Sequence, residues 1–356
     1  MSNFAVPIST GRMKICHVLW SFDYGGIETM VANIANIQVS LGNKVTLLVI
    51  NDIFNEEMSA MLNSGVEVVR LDRPAGSHNP LHIIKLNATL HHIGADVTHF
   101  HHVNIARYIF KPMISKWCTT YHTTWRPEMA PYFKDNRRMF AISHEVKRDI
   151  AEHAGVESTV VVNGILSQQY KHHVPSDKRP FRILQLGRLN MSIKGQDMLI
   201  DAAEELVKRG HDIEVSFIGQ GCDEQAIRDQ IKCKGLDSRV HLCGVCTQEH
   251  LKEHIADYDL LVQPSRIEGF GLTVAEAMAA HVPVVVSNLN ALVEVVDGGR
   301  CGLIFDLDAP QSCADVIERA INEDLSVMVE RAAERVAAVY DVSATAQAYL
   351  AEYAKL

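Results

Sequence analysis

Short apolar strands alternate with amphipathic helices along the chain, and this alternation limits the possible folds more than any other feature. Predicted strands cover Lys14 to Trp20 and Lys44 to Ile50, and between them Ile27 to Leu41 form a predicted helix that ends before Gly42. A strand, a helix and a second strand in this order predict two parallel strands with helices packed on the sheet faces. We therefore expect an α/β protein with doubly wound parallel sheets.

The alternation runs through two cycles that a polar connection separates. The segment from Ser167 to Pro180 contains few apolar residues and is typical of an interdomain linker. Further strands are predicted before it at 67–71, 97–101, 118–122, 139–142 and 159–162, and after it at 182–186, 214–218, 240–243, 260–263, 282–287 and 302–305.

The length of 356 residues also exceeds what one hydrophobic core usually serves. We predict a first Rossmann-like domain over residues 1–170, a second over residues 171–340, and a C-terminal helical segment over residues 341–356. Ligands of such sheets bind outside the carboxyl ends of the strands, so we expect the site in an interdomain cleft.

The acidic residues are concentrated in the second half of the chain. The net charge is −9, with 15 Lys and Arg against 14 Asp and Glu in residues 1–170, and 19 against 29 in residues 171–356. We therefore do not expect nucleic acid as a partner. A basic group in the first half could contact an anionic lipid or glycan, although a solvated charged face is the commoner explanation. This basic group consists of Arg126, Lys134, Arg137, Arg138, Lys147 and Arg148.

The location predicted from the sequence is cytoplasmic, with peripheral contact at the inner membrane face as a minor alternative. No apolar run approaches the roughly 20 residues that a spanning helix needs, and the N-terminus lacks the pattern of a signal peptide. The eight cysteines follow no regular spacing, which predicts reduced, buried thiols.

The strongest chemical signal lies in residues 264–276, PSRIEGFGLTVAE. Glu268 and Glu276 flank a Gly-Phe-Gly turn that leads into a predicted helix. Gly269 and Gly271 allow backbone N–H groups to approach a ligand closely, and a helix N-terminus favours anions. This combination suits a nucleoside diphosphate that carries a sugar. For Glu276 alone there is an alternative, because Thr273 and Glu276 have the spacing of a capping box.

Two cations are predicted at the carboxyl edge of the second sheet. Arg188 follows a predicted strand in a turn with Gly187, and Lys194 precedes a predicted helix. Two fixed charges at this edge could hold a diphosphate and stabilise it as it departs. Gly219, in the turn after the next strand, is predicted at the same edge.

The first domain offers three weaker candidates. Gly25 and Gly26 precede a helix N-terminus, where backbone amides can contact phosphate, but they lack the spacing of a nicotinamide dinucleotide site. His122 ends a predicted strand and can donate a hydrogen bond to a substrate, although a lone histidine is more often structural.

No metal site is predicted. Cys243 and Cys246 have the spacing of a zinc ligand pair, but no second pair follows at a suitable distance. His99, His101 and His102 cluster in sequence, but alternation along a strand would direct His101 and His102 to opposite faces.

Taken together, these motifs resemble the large family of retaining, nucleotide-sugar-dependent glycosyltransferases with the GT-B fold, the group 1 glycosyltransferases, whose hallmark is a Glu-x7-Glu motif. The resemblance covers nearly the whole length. His281 stands where the family usually has a glycine before Pro283, and Asn290 and Ala291 replace a usual glycine pair. The matching segments are Gly25–Glu28, Val162–Ile165, Gly187–Leu189, Lys194–Gly195, Pro264–Glu276, and the pair Glu294 and Gly302.

The resemblance implies a role for each motif. Arg188 and Lys194 would bind the donor diphosphate, and Glu276 would accept hydrogen bonds from the ribose hydroxyls. Glu268 would hold hydroxyls of the transferred sugar, His122 would lie beside that sugar, and the last helix would cross back onto the first domain. The implied catalytic residues are His122, Arg188, Lys194 and Glu268. The implied donor-binding residues are Gly25, Gly26, Gly187, Arg188, Lys194, Gly219, Gly269, Phe270, Gly271, Leu272 and Glu276.

The expected activity is a metal-independent hexosyl transfer with retention, which needs no cofactor besides the nucleotide sugar. A UDP-sugar is the favoured donor and a guanosine nucleotide the second choice. The expected acceptor is a glycan or a lipid-linked acceptor. Three alternatives remain open: a UDP-sugar epimerase of similar fold, a non-catalytic nucleotide-sugar-binding protein, and a covalent mechanism with Glu28 as nucleophile.

Overall fold

The computed structural model describes residues 12–23, 25–110, 116–175, 180–309 and 311–356. The chain forms two compact units. The first contains the residues up to Gly164 together with Val342–Leu356, and the second contains Ile165–Asp341. Residues 165–170 were assigned to the first domain from the sequence, but they lie in the second unit, where the hydroxyl of Tyr170 donates a hydrogen bond to Glu276 at 3.0 Å.

Each unit has one sheet of parallel strands among its described residues. The sheet of the first unit has the order β3-β2-β1-β4-β5-β6-β7, and that of the second has the order β10-β9-β8-β11-β12-β13. The strands are β1 Lys14–Leu19, β2 Lys44–Asn51, β3 Val66–Arg73, β4 Val97–Phe100, β5 Trp117–Tyr121, β6 Met139–Ala141, β7 Ser158–Val160, β8 Phe181–Leu186, β9 Ile213–Ile218, β10 Val240–Leu242, β11 Leu260–Gln263, β12 Val284–Ser287 and β13 Leu303–Phe305.

Helices connect the strands on both faces. They are α1 Gly26–Ser40, α2 Glu56–Ser59, α3 Leu81–Ile93, α4 Ala130–Phe133, α5 His144–Ala154, α6 Met191–Lys194, α7 Gln196–Lys208, α8 Glu224–Cys233, α9 Gln248–His254, α10 Leu272–Ala279, α11 Asn290–Val295, α12 Ser312–Asn322, α13 Ser326–Arg335 and α14 Val342–Tyr353.

The predicted α/β class with two Rossmann-like domains is confirmed. Strand β1 is buried on both faces of its sheet. Ile15, Val18 and Leu19 are at most 1% exposed although they do not all point to one face, so both faces must be packed against other elements. The strand order of the second sheet is that of a doubly wound fold, in which the order reverses beside β8.

Helix α14 belongs to the first unit. It packs against α1, and its Tyr349 and Tyr353 are at most 1% exposed. The two hydroxyls bond to side chains of the sheet, since Tyr353 lies 2.6 Å from His99 Nδ1 and Tyr349 lies 2.9 Å from Thr120 Oγ1. A helix that follows the second unit in sequence thus completes the core of the first.

One expectation about the cysteines is wrong. All eight are free, but four of them are exposed rather than buried. Cys243 and Cys246 are among the exposed thiols, because β10 ends at Leu242 and the chain continues in a surface loop. No helix within the described residues has the length and apolar character that crossing a bilayer requires.

Candidate functional site

Lys194 and Glu268 meet at the carboxyl edge of the second sheet. Lys194 is the last residue of α6, and Glu268 lies in the loop that follows β11. The ammonium Nζ of Lys194 donates to Oε2 of Glu268 at 2.5 Å, and the two side chains are 21% and 15% exposed. The structure therefore brings together two of the four residues implied as catalytic.

A close backbone contact holds Lys194 in this place. Gly195 has φ of 68°, and a Cβ added there would lie 2.0 Å from the carbonyl oxygen of Pro264. Glycine is therefore required both for the left-handed backbone and for the approach of the two loops. The side chain of Gln185 on β8 adds a hydrogen bond to the carbonyl of Lys194 at 2.8 Å.

The Glu268 loop is also held by Arg266. Its guanidinium makes a bidentate ion pair with Asp197 at 2.8 and 2.7 Å and donates to the carbonyl of Met191 at 2.6 Å. The backbone N–H groups of Arg266 and Ile267 both donate to the carbonyl of Ile193. Sequence reasoning missed this clamp, although Arg266 lies inside the 264–276 motif.

Polar side chains beneath the loop complete the support of Glu268. Gln263 Nε2 donates to Ser265 Oγ at 2.8 Å, and Ser265 Oγ lies 3.4 Å from Glu268 Oε2. Thr273 Oγ1 lies 3.3 Å from Gln263 Oε1. The capping-box alternative is wrong, because α10 has Gly271 as its N-cap and Thr273 lies inside the helix.

Glu276 lies in the interior of the second unit. Its side chain is 6% exposed, and Oε1 accepts the hydroxyl of Tyr170. Burial raises the pKa of Glu276 to about 7, while hydrogen bonds from Tyr170 and Gln248 and the charge of Lys252 oppose this rise. Tyr170 is a neighbour that sequence reasoning did not find, since it lies in the segment that was predicted as linker.

Arg188 differs from Lys194 because its cationic group is not paired. The side chain is exposed, and its guanidinium has no hydrogen bond or ion pair with any residue that the structure describes. Its backbone carbonyl accepts from Gln196 Nε2 at 3.0 Å. Gly187 precedes it with φ of 144°, and a Cβ on Gly219 would lie 1.9 Å from the carbonyl oxygen of Gly187, so these two loop turns touch through their backbones.

The Gly-Phe-Gly turn forms the start of α10. The ring of Phe270 is 3% exposed and packs edge-on against Tyr340 at 5.3 Å, so this side chain anchors the turn in the core. Gly271 has φ of 104°, and a Cβ there would lie 2.7 Å from Leu292. Gly269 precedes this anchor and Leu272 is the first helical residue.

In the first unit, the N-terminus of α1 is covered by a carboxylate. Gly25 is the N-cap and Gly26 the first helical residue. A Cβ on Gly25 would lie 2.3 Å from Oε2 of Glu28, so the Glu28 side chain folds over the helix N-terminus. Burial, together with the charge of Asp23, raises the pKa of Glu28. A phosphate at Gly25 would have to displace this carboxylate.

His122 follows β5 and belongs to a group of hydrogen-bonded histidines. Its Nε2 lies 3.1 Å from His101 Nδ1, and His101 Nε2 lies 3.0 Å from His17 Nδ1. His17 was missed in the sequence because it lies on β1, where it pairs with His99 of β4. His17, His99 and His101 offer ligand atoms within 4.8 Å of one another, so these three buried residues could hold a metal ion.

A cavity of about 200 Å³ opens at the carboxyl ends of β1, β2 and β3. Trp20 and Tyr108 contribute aromatic rings that meet edge-on at 6.0 Å. Arg73 lies over the Trp20 ring, and His78 and His82 add polar groups. Flat aromatic surface beside hydrogen-bonding groups is typical of small-molecule sites.

Family models match both units. Residues 24–168 match the model of Glycosyltransferase Family 4, and residues 180–323 match that of Glycosyl transferases group 1. The alpha-D-kanosaminyltransferase of Streptomyces kanamyceticus is 31% identical over 170 residues, 47% of this chain and 44% of that protein. A GDP-mannose:cellobiosyl-diphosphopolyprenol alpha-mannosyltransferase of Xanthomonas oryzae is 25% identical, with 96% of each chain aligned.

Solved structures share the fold over nearly the whole chain. The Anabaena protein HepE, solved in complex with UDP, has a TM-score of 0.79 at 21% identity, with 97% of this chain and all of that chain covered. The sucrose-phosphate synthase of Thermosynechococcus elongatus has a TM-score of 0.79 at 17% identity, with 97% and 99% covered. These structures show that the chain has the GT-B fold, and the two family models that match it are both models of glycosyltransferases.

Proposed function

We propose that this enzyme moves a sugar from a nucleotide diphosphate sugar to a glycan or lipid-linked acceptor, with retention and without a metal ion. The observation that carries the proposal is the pair of Lys194 and Glu268 at 2.5 Å, held by backbone contacts at the carboxyl edge of the sheet. The exposed Arg188 guanidinium follows β8 at the same edge. An anion-binding group and a sugar-binding group are thus adjacent.

In the proposed reaction the bond between the anomeric carbon and the diphosphate oxygen breaks, and the acceptor oxygen forms a new bond on the same face. The departing phosphate oxygen takes the proton of the acceptor hydroxyl. Arg188 and Lys194 stabilise the negative charge that develops on the diphosphate, which is the task a metal ion has in other transferases. Glu268 binds hydroxyls of the sugar, and His122 contacts the same sugar.

The donor is proposed to bind along the Gly187 and Gly219 turns and the Gly-Phe-Gly turn, with Glu276 at the ribose. A UDP-sugar is the first choice, and a GDP-sugar is the second because the aligned Xanthomonas relative is named for GDP-mannose. For the acceptor, the cavity beside Trp20 supports a sugar ring, since Trp20 and Tyr108 offer aromatic surface to its C–H face.

Replacement of Lys194 by Gln tests the proposal. We expect turnover of the sugar donor to fall by roughly 100-fold or more, as on removal of other preorganised charge-stabilising donors. Lys234→Gln is the matched control, because Lys234 pairs with Glu204 at the same 2.5 Å and is 24% exposed, but it lies on the surface after α8. Donors are first chosen by a thermal-shift screen of nucleotide sugars, in which a bound donor raises the melting temperature.

The alternatives give different results in the same assays. An epimerase would exchange sugar hydrogen with solvent deuterium without an acceptor. A non-catalytic binding protein would show the thermal shift but no hydrolysis or transfer with any acceptor. Equal turnover in the Lys194 and Lys234 variants would refute the assignment of Lys194.

A further inference from the structure

A row of buried polar side chains leads from helix α1 to the end of β5. Gln38 Oε1 lies 2.8 Å from His17 Nε2, His17 Nδ1 lies 3.0 Å from His101 Nε2, and His101 Nδ1 lies 3.1 Å from His122 Nε2. Gln38, His17 and His101 are at most 1% exposed. The row runs from β1 past the ends of the neighbouring strands β4 and β5, and it ends at His122, which the sequence resemblance implies as a sugar contact.

The histidines of this row are neutral at physiological pH. Burial lowers the pKa of His17 to about 4 and that of His122 to about 3, and it also holds the pKa of His101 well below its usual value. A neutral imidazole carries one N–H donor and one acceptor nitrogen. Each imidazole ring in the row can therefore donate one hydrogen bond and accept one. All hydrogen bonds along the row must then run in the same donor-to-acceptor direction.

The carbonyl oxygen of Gln38 sets this direction, because it can only accept. His17 must then carry its proton on Nε2, which leaves Nδ1 as the acceptor for His101 Nε2–H. In the same way His101 Nδ1 accepts from His122 Nε2–H. The remaining nitrogen, His122 Nδ1, is buried and has no partner among the described residues. It carries a lone pair and no proton.

We propose that Gln38, His17 and His101 act as positioning residues that fix the Nε2–H tautomer of His122, so that Nδ1 accepts a hydrogen bond from a hydroxyl of the bound sugar. This inference rests on the proposed function for the contact between His122 and the sugar. It reverses the role expected from the sequence, in which His122 donates. A buried acceptor without a partner is costly, and a sugar hydroxyl would satisfy it.

The same histidines could instead bind a metal ion, and the hydrogen bonds argue against this. Both ring nitrogens of His99 bond to hydroxyl groups, Nδ1 to Tyr353 at 2.6 Å and Nε2 to Thr120 at 2.7 Å. Both nitrogens of His17 and of His101 lie within 3.1 Å of protein atoms. An ion would have to break several of these bonds at once.

The tautomer can be measured directly in the free full-length protein. Long-range nitrogen–proton correlation spectra of a sample with ¹⁵N-labelled histidine distinguish the two neutral tautomers, and His122→Phe identifies the His122 signals. We expect protonated Nε2 and unprotonated Nδ1 in His122, and a mixture of tautomers in Gln38→Leu. His99→Gln is the control, because His99 is equally buried but outside the row, and the His122 pattern should persist in it.

Kinetics test the consequence for the sugar. We expect Gln38→Leu and His122→Phe each to lower kcat/KM by about tenfold, the factor typical of one hydrogen bond. With a deoxy sugar donor that lacks the contacted hydroxyl, the kcat/KM values of wild type and of both variants should be equal.

Three results would overturn the inference. The first is a protonated Nδ1 in His122 of the free protein, which would mean that the Gln38 amide is reversed. The others are a stoichiometric metal ion in the purified protein, and an unchanged kcat/KM in a Gln38→Leu variant in which His122 has mixed tautomers. If the wild type transferred no sugar from any donor, the proposed function would fail, and the spectra would still decide the tautomer.

Discussion

At the scale of single residues, the second unit contains a carboxyl group whose charge is set by burial. Glu276 is almost fully buried and accepts a hydrogen bond from Tyr170, and its pKa rises from 4.5 to about 7. The folded protein therefore holds a proton on Glu276 at pH values where the unfolded chain has lost it. Ionisation of this group destabilises the fold, so its contribution depends on pH.

The first prediction follows from the direction of this shift. Because the pKa of Glu276 is raised in the folded state, the contribution of this residue to the free energy of unfolding is largest below pH 4.5. It declines as the pH rises towards 7. The shift corresponds to about 3 kcal/mol as an order of magnitude. Glu276→Gln removes the ionisation. The free energy of unfolding of this variant minus that of wild type, both measured with urea, should therefore increase by about 3 kcal/mol from pH 5 to pH 8. Glu249→Gln, at an exposed position of α9, should follow the wild-type curve. Parallel curves for Glu276→Gln and wild type would show that Glu276 is ionised throughout.

At the scale of elements, the junction of α6 and α7 determines the geometry of the candidate site. Lys194 ends α6 and Gly195 is the N-cap of α7, so the position of the ammonium group depends on one glycine. Any side chain on Gly195 would collide with the carbonyl of Pro264 at the end of β11. The helix junction and the Glu268 loop are thus one structural part.

The second prediction concerns Gly195→Ala. Left-handed backbone and the collision together should lower the free energy of unfolding by about 3 kcal/mol and also reduce turnover, since Lys194 moves away from Glu268. Gly235→Ala is a matched control, because Gly235 has φ of 66° and nothing within 4 Å of an added Cβ. That variant should lose only about 1 kcal/mol and keep its turnover. If chemical denaturation showed equal losses of the free energy of unfolding in the Gly195 and Gly235 variants, the contact between Gly195 and Pro264 would not be tight.

Sequence patterns predicted the elements better than the contacts. The bounds of β11 agree with the predicted range 260–263 because periodicity is a local property. Helix α3 was missed because its N-cap is Pro80, which makes no side-chain cap, and apolar Ile84 is exposed. The proximity of Lys194 and Glu268 followed from the rule that strand ends share one edge.

Contacts that depend on packing were not predictable in this way. His17 and His101 are 84 residues apart, and their hydrogen bond depends on the register of β1 against β4. Tyr170 and Glu276 are 106 residues apart, and no periodicity marks a tyrosine in a polar segment as the partner of a buried acid. These pairs arise only when whole layers are packed.

At the scale of the whole molecule, the two units differ in how the chain supplies them. The second unit is the continuous segment Ile165–Asp341, whereas the first needs Val342–Leu356 in addition to its own segment. Tyr349 and Tyr353 of α14 are buried in the first unit, and truncation of a buried aromatic side chain typically costs about 3–5 kcal/mol.

The third prediction is that a chain ending at Asp341 loses the fold of the first unit and keeps that of the second. The two buried tyrosines alone account for much of the 5–15 kcal/mol that typically stabilises a domain. Hydrogen exchange should show protected amides in β8 and β9 but not in β1 and β4, and a peptide of residues 342–356 should restore protection. A chain ending at Tyr353 is the control and should remain protected throughout. Protection of β1 in the shorter chain would contradict the prediction.

The discontinuous first unit has a consequence for biosynthesis. Domains usually fold in the order in which they leave the ribosome. Here Val342–Leu356, which complete the core of the first unit, are translated after every residue of the second unit. Until then the first unit exposes the hydrophobic surface that α14 covers, whereas the second unit can already fold. We therefore expect the first unit of this protein to complete its fold after the second, in the reverse of the order of translation.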